Sequence, residues 1–155
     1  MSEDYYQNLP KKRMGVGCLF FNENGELLIV KPSYKDHWSI PGGVIEENES
    51  PLKTCVREVE EEIGIDLKSP KFLCVDYSSN SGKGESLQFI FYGKILNQEE
   101  IENIKLAEGE LLEYKFLRFE EALPILNEKL VKRLQECIEA IKNKQPIYLE
   151  DGEYV

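Results

Sequence analysis

The chain has 155 residues, of which 29 are acidic and 19 basic, so its formal net charge is −10. Hydrophobic residues make up 41% of it, an ordinary globular composition that excludes a disordered chain. An acidic surface repels the phosphate backbone, which argues against duplex nucleic-acid binding. No apolar run approaches the length of about 18 residues that a membrane helix needs, and residues 1–15 lack the apolar segment of a signal peptide. These features predict one cytoplasmic domain over residues 1–155, with no membrane partner.

Cysteine usage agrees with a reducing compartment. The four cysteines lie among apolar neighbours, and no C-x-x-C pair is present. Both features predict buried, reduced thiols rather than a metal site or a disulfide framework at Cys18, Cys55, Cys74 and Cys137.

The first half of the chain predicts a hairpin, an irregular segment and a helix. Apolar strands near 14–21 and 26–31 flank Asn24-Gly25, which favours a tight turn. Prolines and paired glycines interrupt regular structure up to residue 43. A helix then follows, with an N-cap at Ser50, proline at its first position and Gly64 ending it.

The second half predicts three strands and a long helix. The strands cover 71–79, 86–96 and 111–119, and the flexible residues 80–85 join the first two. A long helix near 127–143 follows a short one, from which Pro124 separates it. Its apolar residues recur at three-to-four spacing: Leu126, Leu130, Leu134, Cys137, Ile138 and Ile141. The tail after residue 144 is compatible with an edge strand, a lid or a frayed end.

The helix over 51–63 carries an unusual number of carboxylates. Glu58, Glu61 and Glu62 share one face at i, i+3 and i+4, whereas Glu60 points to solvent. Such a face is either simply solvated or a site for a hard divalent cation, which prefers carboxylate oxygens. The predicted buried stripe lies about a third of a turn away and comprises Leu52, Cys55, Val56, Val59 and Ile63.

The residues around this helix form a longer motif. Gly43 is followed after five residues by Glu49, and after seven more by "REVEEEIGI", residues 57–65. This resembles the Nudix box, G-x5-E-x7-R-E-U-x-E-E-x-G-U with U a bulky aliphatic residue, and every defined position is filled. The preceding "WSIPGG" is similar to the usual lead-in of that family, so the resemblance covers residues 38–65. It implies an α/β fold, an α/β/α sandwich with a mixed central sheet.

The resemblance also implies an activity and a metal site. Nudix enzymes use water and Mg²⁺, with Mn²⁺ as a possible substitute, to hydrolyse a nucleoside diphosphate linked to another group. By resemblance, the carboxylates of Glu58, Glu61 and Glu62 are metal ligands, and the carbonyl of Gly42 or Gly43 adds a backbone ligand. Arg57 corresponds to the arginine that orients the carboxylates. Glu49 is expected to brace the loop before the helix.

The identity of the general base stays open, because two regions of the chain offer candidates. One candidate is Glu58, and the other lies in "LAEGELLEYKF", residues 106–116, which offers three glutamates before a predicted strand. Of these three we favour Glu108 over Glu110 and Glu113, because of its place before a glycine. The alternative is that all three are ordinary loop charges.

The substrate is the least determined part of the prediction. The stretch "SSNSGKGESL" lacks the proline and the tyrosine that mark some subfamilies, which favours a MutT-like enzyme converting a nucleoside triphosphate, normal or oxidised, to a monophosphate and pyrophosphate. Alternatives are an ADP-ribose, sugar-nucleotide or dinucleotide pyrophosphatase, or a non-catalytic nucleotide sensor. Tyr34 and Trp38 are expected to pack against the core, with base stacking as the alternative. His37 is expected to pack or to lie at the surface, and Lys83 either meets a phosphate or only water. The chain is expected to be a monomer or a homodimer.

Overall fold

The computed structural model describes residues 2–79 and 82–155. Asn80 and Ser81, in the predicted loop over 80–85, lie outside the described residues. The strands are β1 (Arg13–Asn22), β2 (Leu27–Pro32), β3 (Gly42–Val44), β4 (Lys71–Ser78), β5 (Ser86–Leu96), β6 (Leu111–Leu117), β7 (Ile147–Glu150) and β8 (Glu153–Tyr154).

These strands form one mixed sheet in the order β6-β2-β1-β5-β4-β7-β8, and β3 pairs with β1 off this path. The pairs β1–β5 and β4–β7 are parallel, and the remaining pairs are antiparallel. The predicted hairpin of β1 and β2 is present, with Gly25 at φ +78° in its turn. Its two strands soon part, because residues 15–17 of β1 pair with β3 instead of β2, while β2 follows β6 on its other edge.

The helices are α1 (Glu3–Gln7), α2 (Pro51–Ile63), α3 (Gln98–Glu102), α4 (Phe119–Ala122) and α5 (Glu128–Asn143), with a 3-10 turn over Leu123–Ile125. Helix α2 has the predicted caps: Ser50 Oγ accepts from the N–H of Lys53, and Gly64 adopts the left-handed conformation at φ 71°. Helix α5 begins after Asn127, whose side chain accepts from the N–H of Leu130. Pro124 separates it from α4, as predicted.

Two apolar cores lie on opposite faces of the sheet. Odd and even residues of β1 point to different faces, so Val16, Cys18 and Phe20 pack under α2 while Leu19 packs under α5. The four cysteines are buried and free, as predicted. This arrangement confirms the α/β/α sandwich with a mixed sheet.

Three parts of the fold differ from the sequence predictions or add to them. Leu52 is 47% exposed, so its predicted burial was wrong. Thr54 is buried near the start of α2 instead, because its hydroxyl donates locally to Glu49 and to the carbonyl of Ser50. The tail forms β7 and β8, which settles it as edge strands. Strand β3 and helices α1 and α3 were not predicted.

Within the described part of the chain, none of the helices has the length and apolar character required to cross a bilayer.

Candidate active site

The paired glycines of β3 bring the chain into contact with two other elements. A Cβ on Gly42 would lie 2.0 Å from the carbonyl oxygen of Val16, and one on Gly43 would lie 2.5 Å from Cδ of Glu58. Both distances are far inside van der Waals contact. Only glycine therefore allows β3 to fit between β1 on one side and the carboxylates of α2 on the other.

Arg57 connects the carboxylates of α2. Its Nη1 donates both to Glu58 Oε1 at 2.9 Å and to Glu61 Oε2 at 3.1 Å. The same guanidinium forms a bidentate pair with Glu49, from Nε to Oε2 at 2.7 Å and from Nη2 to Oε1 at 2.8 Å. These bonds raise the pKa of Arg57 above its ordinary value. The planar guanidinium thus fixes three carboxylates relative to one another, and Glu60 is exposed, as predicted.

Glu49 ties the loop before α2 to the helix. Besides Arg57, it accepts a 2.6 Å bond from the Thr54 hydroxyl and a 3.4 Å bond from the N–H of Glu46. The bonds from Arg57 and Thr54 are the main reasons that the pKa of Glu49 falls to about 2. Its carboxylate is therefore a fixed acceptor, which is the bracing position expected from the sequence.

Glu62 lies in a different electrostatic environment from Glu49. Within the described part of the chain, its Oε2 accepts one hydrogen bond, from the N–H of Gly42 at 3.3 Å. Burial is the largest cause that raises the pKa of Glu62 to about 8, and the charges of Glu58 and Glu110 add to it. Burial likewise raises the pKa of Glu58. At Glu62, burial and the two neighbouring negative charges therefore outweigh the opposing charge of Lys35.

The donor set fits a hard cation, although the carboxylates do not converge on a point. Within residues 2–79 and 82–155, no three His, Cys, Asp or Glu side chains are grouped closely enough to hold a metal. Arg57 Nη1 lies between Glu58 and Glu61 and compensates both of them. Among the described residues no guanidinium pairs with Glu62, on which only the charge of Lys35 acts in opposition. The N–H of Gly42 faces Glu62, and its carbonyl points away from β1 in the same direction, because the polar groups of alternate residues in a strand face opposite sides. The available donors are all oxygens, the type that Mg²⁺ and Mn²⁺ prefer.

The turn before β6 places Glu110, rather than Glu108, near these carboxylates. The charge of Glu110 contributes to the raised pKa of both Glu58 and Glu62. Glu108, Glu110 and Glu113 are all exposed. Glu110 is therefore a further candidate for the base, and the role of Glu108 stays a prediction.

A cleft of about 330 Å³ runs from Glu62 across the start of β1. Its glutamate end includes Gly42 and Gly43, and its far end includes Arg13 and Arg133. Between the two ends the lining is mixed. Apolar walls are formed by Val16, Val30, Ile40, Ile90, Leu111 and Leu130, and polar groups come from Tyr34, Lys35, Ser39 and Gln88. This volume and composition are typical of a small-molecule site.

Two further glycines that the sequence analysis did not single out line this cleft. A Cβ on Gly15 would lie 2.5 Å from Gln88 Oε1, and one on Gly17 would lie 2.6 Å from Ile40 Cδ1. Glycines at alternate positions of a strand share one face and lower its surface there. The "GVG" pattern in a buried strand was the available signal, because glycine in a strand often marks close approach of a ligand.

The aromatic residues near the lead-in have different surroundings. Trp38 packs against the core under α5, with Lys115 Nζ 4.9 Å from its ring centroid, and His37 is exposed. Both positions match the predictions. Tyr34 is 73% exposed and lines the cleft, and its pKa is raised by burial and by the charges of the nearby glutamates. The predicted packing of Tyr34 against the core was therefore wrong, and its stacking on a base stays a prediction.

Comparisons with known proteins give one relative that aligns over most of the chain and one that aligns over less than half of it. The chain is 28% identical over 141 residues to diphosphoinositol polyphosphate phosphohydrolase 3-alpha of Mus musculus, covering 90% of this chain and 74% of that protein. It is 41% identical over 64 residues to mRNA-decapping enzyme subunit 2 of Saccharomyces cerevisiae, covering 41% of this chain. The match spans only 6% of the length of the yeast protein.

A solved structure and a family model cover most of the chain. The MutT protein from Methanosarcina mazei Go1 aligns with a TM-score of 0.66 at 24% sequence identity, covering 88% of this chain and 98% of that one. This likeness supports the fold. The model of the NUDIX domain matches residues 11–141, which include every element of the cleft up to α5. The chain therefore belongs to the Nudix family.

Proposed function

We propose that this protein is a Nudix-type pyrophosphohydrolase that cleaves a phosphoanhydride bond in a nucleoside diphosphate linked to another group. The observation that carries the proposal is the electrostatic environment at the glutamate end of the cleft. There burial and the charges of Glu58 and Glu110 outweigh the opposing charge of Lys35 at Glu62, while the apolar walls leave room for a nucleoside. An anionic diphosphate can enter such a site only together with a cation, which is the requirement of Mg²⁺-dependent hydrolysis.

Each residue of the motif has a distinct proposed role. The carboxylates of Glu58, Glu61 and Glu62 and the carbonyl of Gly42 would hold Mg²⁺, or Mn²⁺ in its place. When bound, the ion neutralises the diphosphate and lowers the pKa of water. Arg57 is a positioning residue, because its bonds to Glu58 and Glu61 set the separation of their carboxylates.

The chemical step needs a base at the same place. A water oxygen forms a bond to one phosphorus, the bond from that phosphorus to the bridging oxygen breaks, and a carboxylate accepts the proton of the water. Glu58 is one candidate, and its raised pKa brings it closer to the range of an effective base. Glu110, whose charge acts on Glu58 and Glu62, is a second candidate, and Glu108 stays the sequence-based candidate. Separate Gln variants of the three residues distinguish them: loss of turnover with Mn²⁺ binding kept identifies the base, whereas loss of both identifies only a metal ligand.

The preferred substrate is a nucleoside triphosphate, normal or oxidised, which gives a monophosphate and pyrophosphate. ADP-ribose, sugar nucleotides and dinucleotides are the alternatives, together with a sensing role without hydrolysis. The domain is proposed to cover residues 1–155, to act in the cytoplasm as a monomer or homodimer, and to bind neither duplex nucleic acid nor membranes.

A diphosphorylated cyclitol polyphosphate is a second candidate substrate. It is favoured by the mouse relative, whose name refers to diphosphoinositol polyphosphate and whose match covers 90% of this chain. The apolar cleft walls argue against it, because a ring bearing phosphate on every carbon has no apolar face to bury. A nucleoside suits the same walls better.

A hydrolysis panel with Mg²⁺ tests the proposal. It contains normal and oxidised nucleoside triphosphates, ADP-ribose, sugar nucleotides, dinucleoside polyphosphates and a diphosphoinositol polyphosphate, with products identified by mass. Glu61→Gln should lose at least about 99% of turnover, whereas Glu60→Gln, a matched change on the exposed side of α2, should keep it. Equal turnover in the two variants would refute the assignment of the site, and no hydrolysis of any substrate would favour the sensing role.

A further inference from the structure

A second cavity of about 220 Å³ opens beside the far end of the cleft. Four of its lining residues are cations, and none of the described residues that line it is a carboxylate. They lie on three different segments: Arg13 on β1, Lys83 in the loop before β5, and Lys129 and Arg133 on α5. Ser78, Ser86 and Asn127 supply hydroxyl and amide groups around them. In a chain of net charge −10, this local excess of positive charge stands out.

The charges of the four cations are compensated to different degrees. Arg133 is buried and pairs with Asp76, Nε to Oδ2 at 2.8 Å, so the carboxylate of Asp76 neutralises its charge at the bottom of the cavity. The charge of Lys129 acts on Asp151, whose pKa it helps to lower. Among the described residues, no carboxylate lies within ion-pair distance of Arg13 or Lys83. Arg13 Nη2 has one long bond, 3.5 Å, to the carbonyl of Gly84. The excess charge is therefore concentrated at Arg13 and Lys83.

This cavity continues the candidate active site. Arg13, Asn127 and Arg133 line both the cleft and the cavity. Val16 lies opposite Gly43 in the β1–β3 pair, and Arg13 precedes it by three residues. At about 3.3 Å per residue, the two ends of the cleft are roughly 10 Å apart along β1. One nucleoside can span such a distance.

We infer that the cavity formed around Arg13, Lys83, Lys129 and Arg133 binds a second phosphate, carried as a monoester on the ribose of the substrate. The inference deepens the proposed function and rests on it, since the diphosphate lies at the glutamate end. The apolar walls then hold the base and sugar, and the 2′- or 3′-phosphate reaches the cationic cavity. A monoester is favoured over the diester of an oligonucleotide because it carries more charge, and a longer acidic chain meets the negative surface of the protein.

Equilibrium binding in the presence of Mg²⁺ tests the cavity without any turnover, because the probes contain no phosphoanhydride bond. The probes are the 5′-monophosphates of the four common nucleosides, their 2′,5′- and 3′,5′-bisphosphates, and 5′-phosphorylated dinucleotides. The proteins are the wild type, Lys83→Ala, Arg13→Ala and the control Lys68→Ala, which removes a lysine paired with Asp66 outside both cavities. Because nothing is hydrolysed, failure of this inference and failure of the proposed activity give different results.

The wild type should bind a bisphosphate at least about tenfold more tightly than the matching monophosphate. Lys83→Ala and Arg13→Ala should each reduce this preference to about threefold or less, while Lys68→Ala keeps it. Raising the salt concentration should reduce the ratio of bisphosphate to monophosphate affinity, because salt screens charges that are partly exposed. Equal binding of mono- and bisphosphates by the wild type, a preference unchanged in Lys83→Ala, or tighter binding of the dinucleotides would each overturn the inference.

Discussion

Glu62 offers a quantitative test of the electrostatics of the site. Its pKa of about 8, against an ordinary value of 4.5, means that the folded protein keeps a proton that the unfolded chain releases. Each unit of difference corresponds to about 1.4 kcal/mol. The free energy of unfolding should therefore decrease as the pH rises from 4.5 to 8 and level off above it. The full penalty is about 5 kcal/mol as an upper limit, since Glu62 is only partly buried.

Glu62→Gln removes this penalty and leaves a side chain of similar shape. In EDTA at pH 5, the variant and the wild type should have nearly equal free energies of unfolding. At pH 8.5 the variant should be more stable by roughly 2–5 kcal/mol, because its amide has no charge to desolvate. Urea unfolding followed by circular dichroism, at half-unit steps of pH, measures the difference.

The matched control is Glu60→Gln, which removes a carboxylate from the exposed side of the same helix. Its difference from the wild type should be small and should not change with pH. A Glu62→Gln curve that runs parallel to that of the wild type from pH 5 to pH 8.5 would refute the assignment of a raised pKa.

Three other substitutions follow from the packing of the site. Gly43→Ala would press its Cβ against the carboxylate of Glu58, so we expect turnover to fall about 100-fold while the melting temperature drops by only a few degrees. Arg57→Lys keeps the charge but loses the bidentate pair with Glu49, and kcat should fall at least about tenfold with little change in KM. Gly17→Val would fill the cleft floor, so KM should rise by about tenfold or more, and an unchanged KM would contradict the assigned cleft.

The sequence predicted the parts of the site that lie close together along the chain. Ser50, Pro51 and Gly64 fix the bounds of α2 by local capping, and helical spacing alone brings Glu58 and Glu61 to one side. The bidentate pair of Glu49 with Arg57 joins residues eight apart, a separation that the motif already contains. Capping and helical spacing, which are local along the chain, were therefore sufficient to predict how these residues of the motif are placed.

Features that depend on pairing between distant segments were not predictable in the same way. The choice between Glu108 and Glu110 depends on how the turn before β6 faces α2, and neighbouring residues of a turn can point in opposite directions. The cationic cavity joins Arg13 to α5, far apart in the chain, and no periodicity links them. The exposure of Leu52 depends on Thr54, whose hydroxyl can be buried because it has local partners.

The central claim is that the carboxylates of α2 hold a divalent cation. The most direct measurement is calorimetric titration of Mn²⁺, followed by displacement with Mg²⁺, into the wild type, Glu61→Gln and Glu60→Gln at pH 7. Two buffers with different heats of protonation report the protons released. We predict binding to the wild type and to Glu60→Gln, at least about tenfold weaker binding to Glu61→Gln, and release of a proton as Glu62 ionises. Equal binding by all three proteins, or no binding to the wild type, would contradict the account.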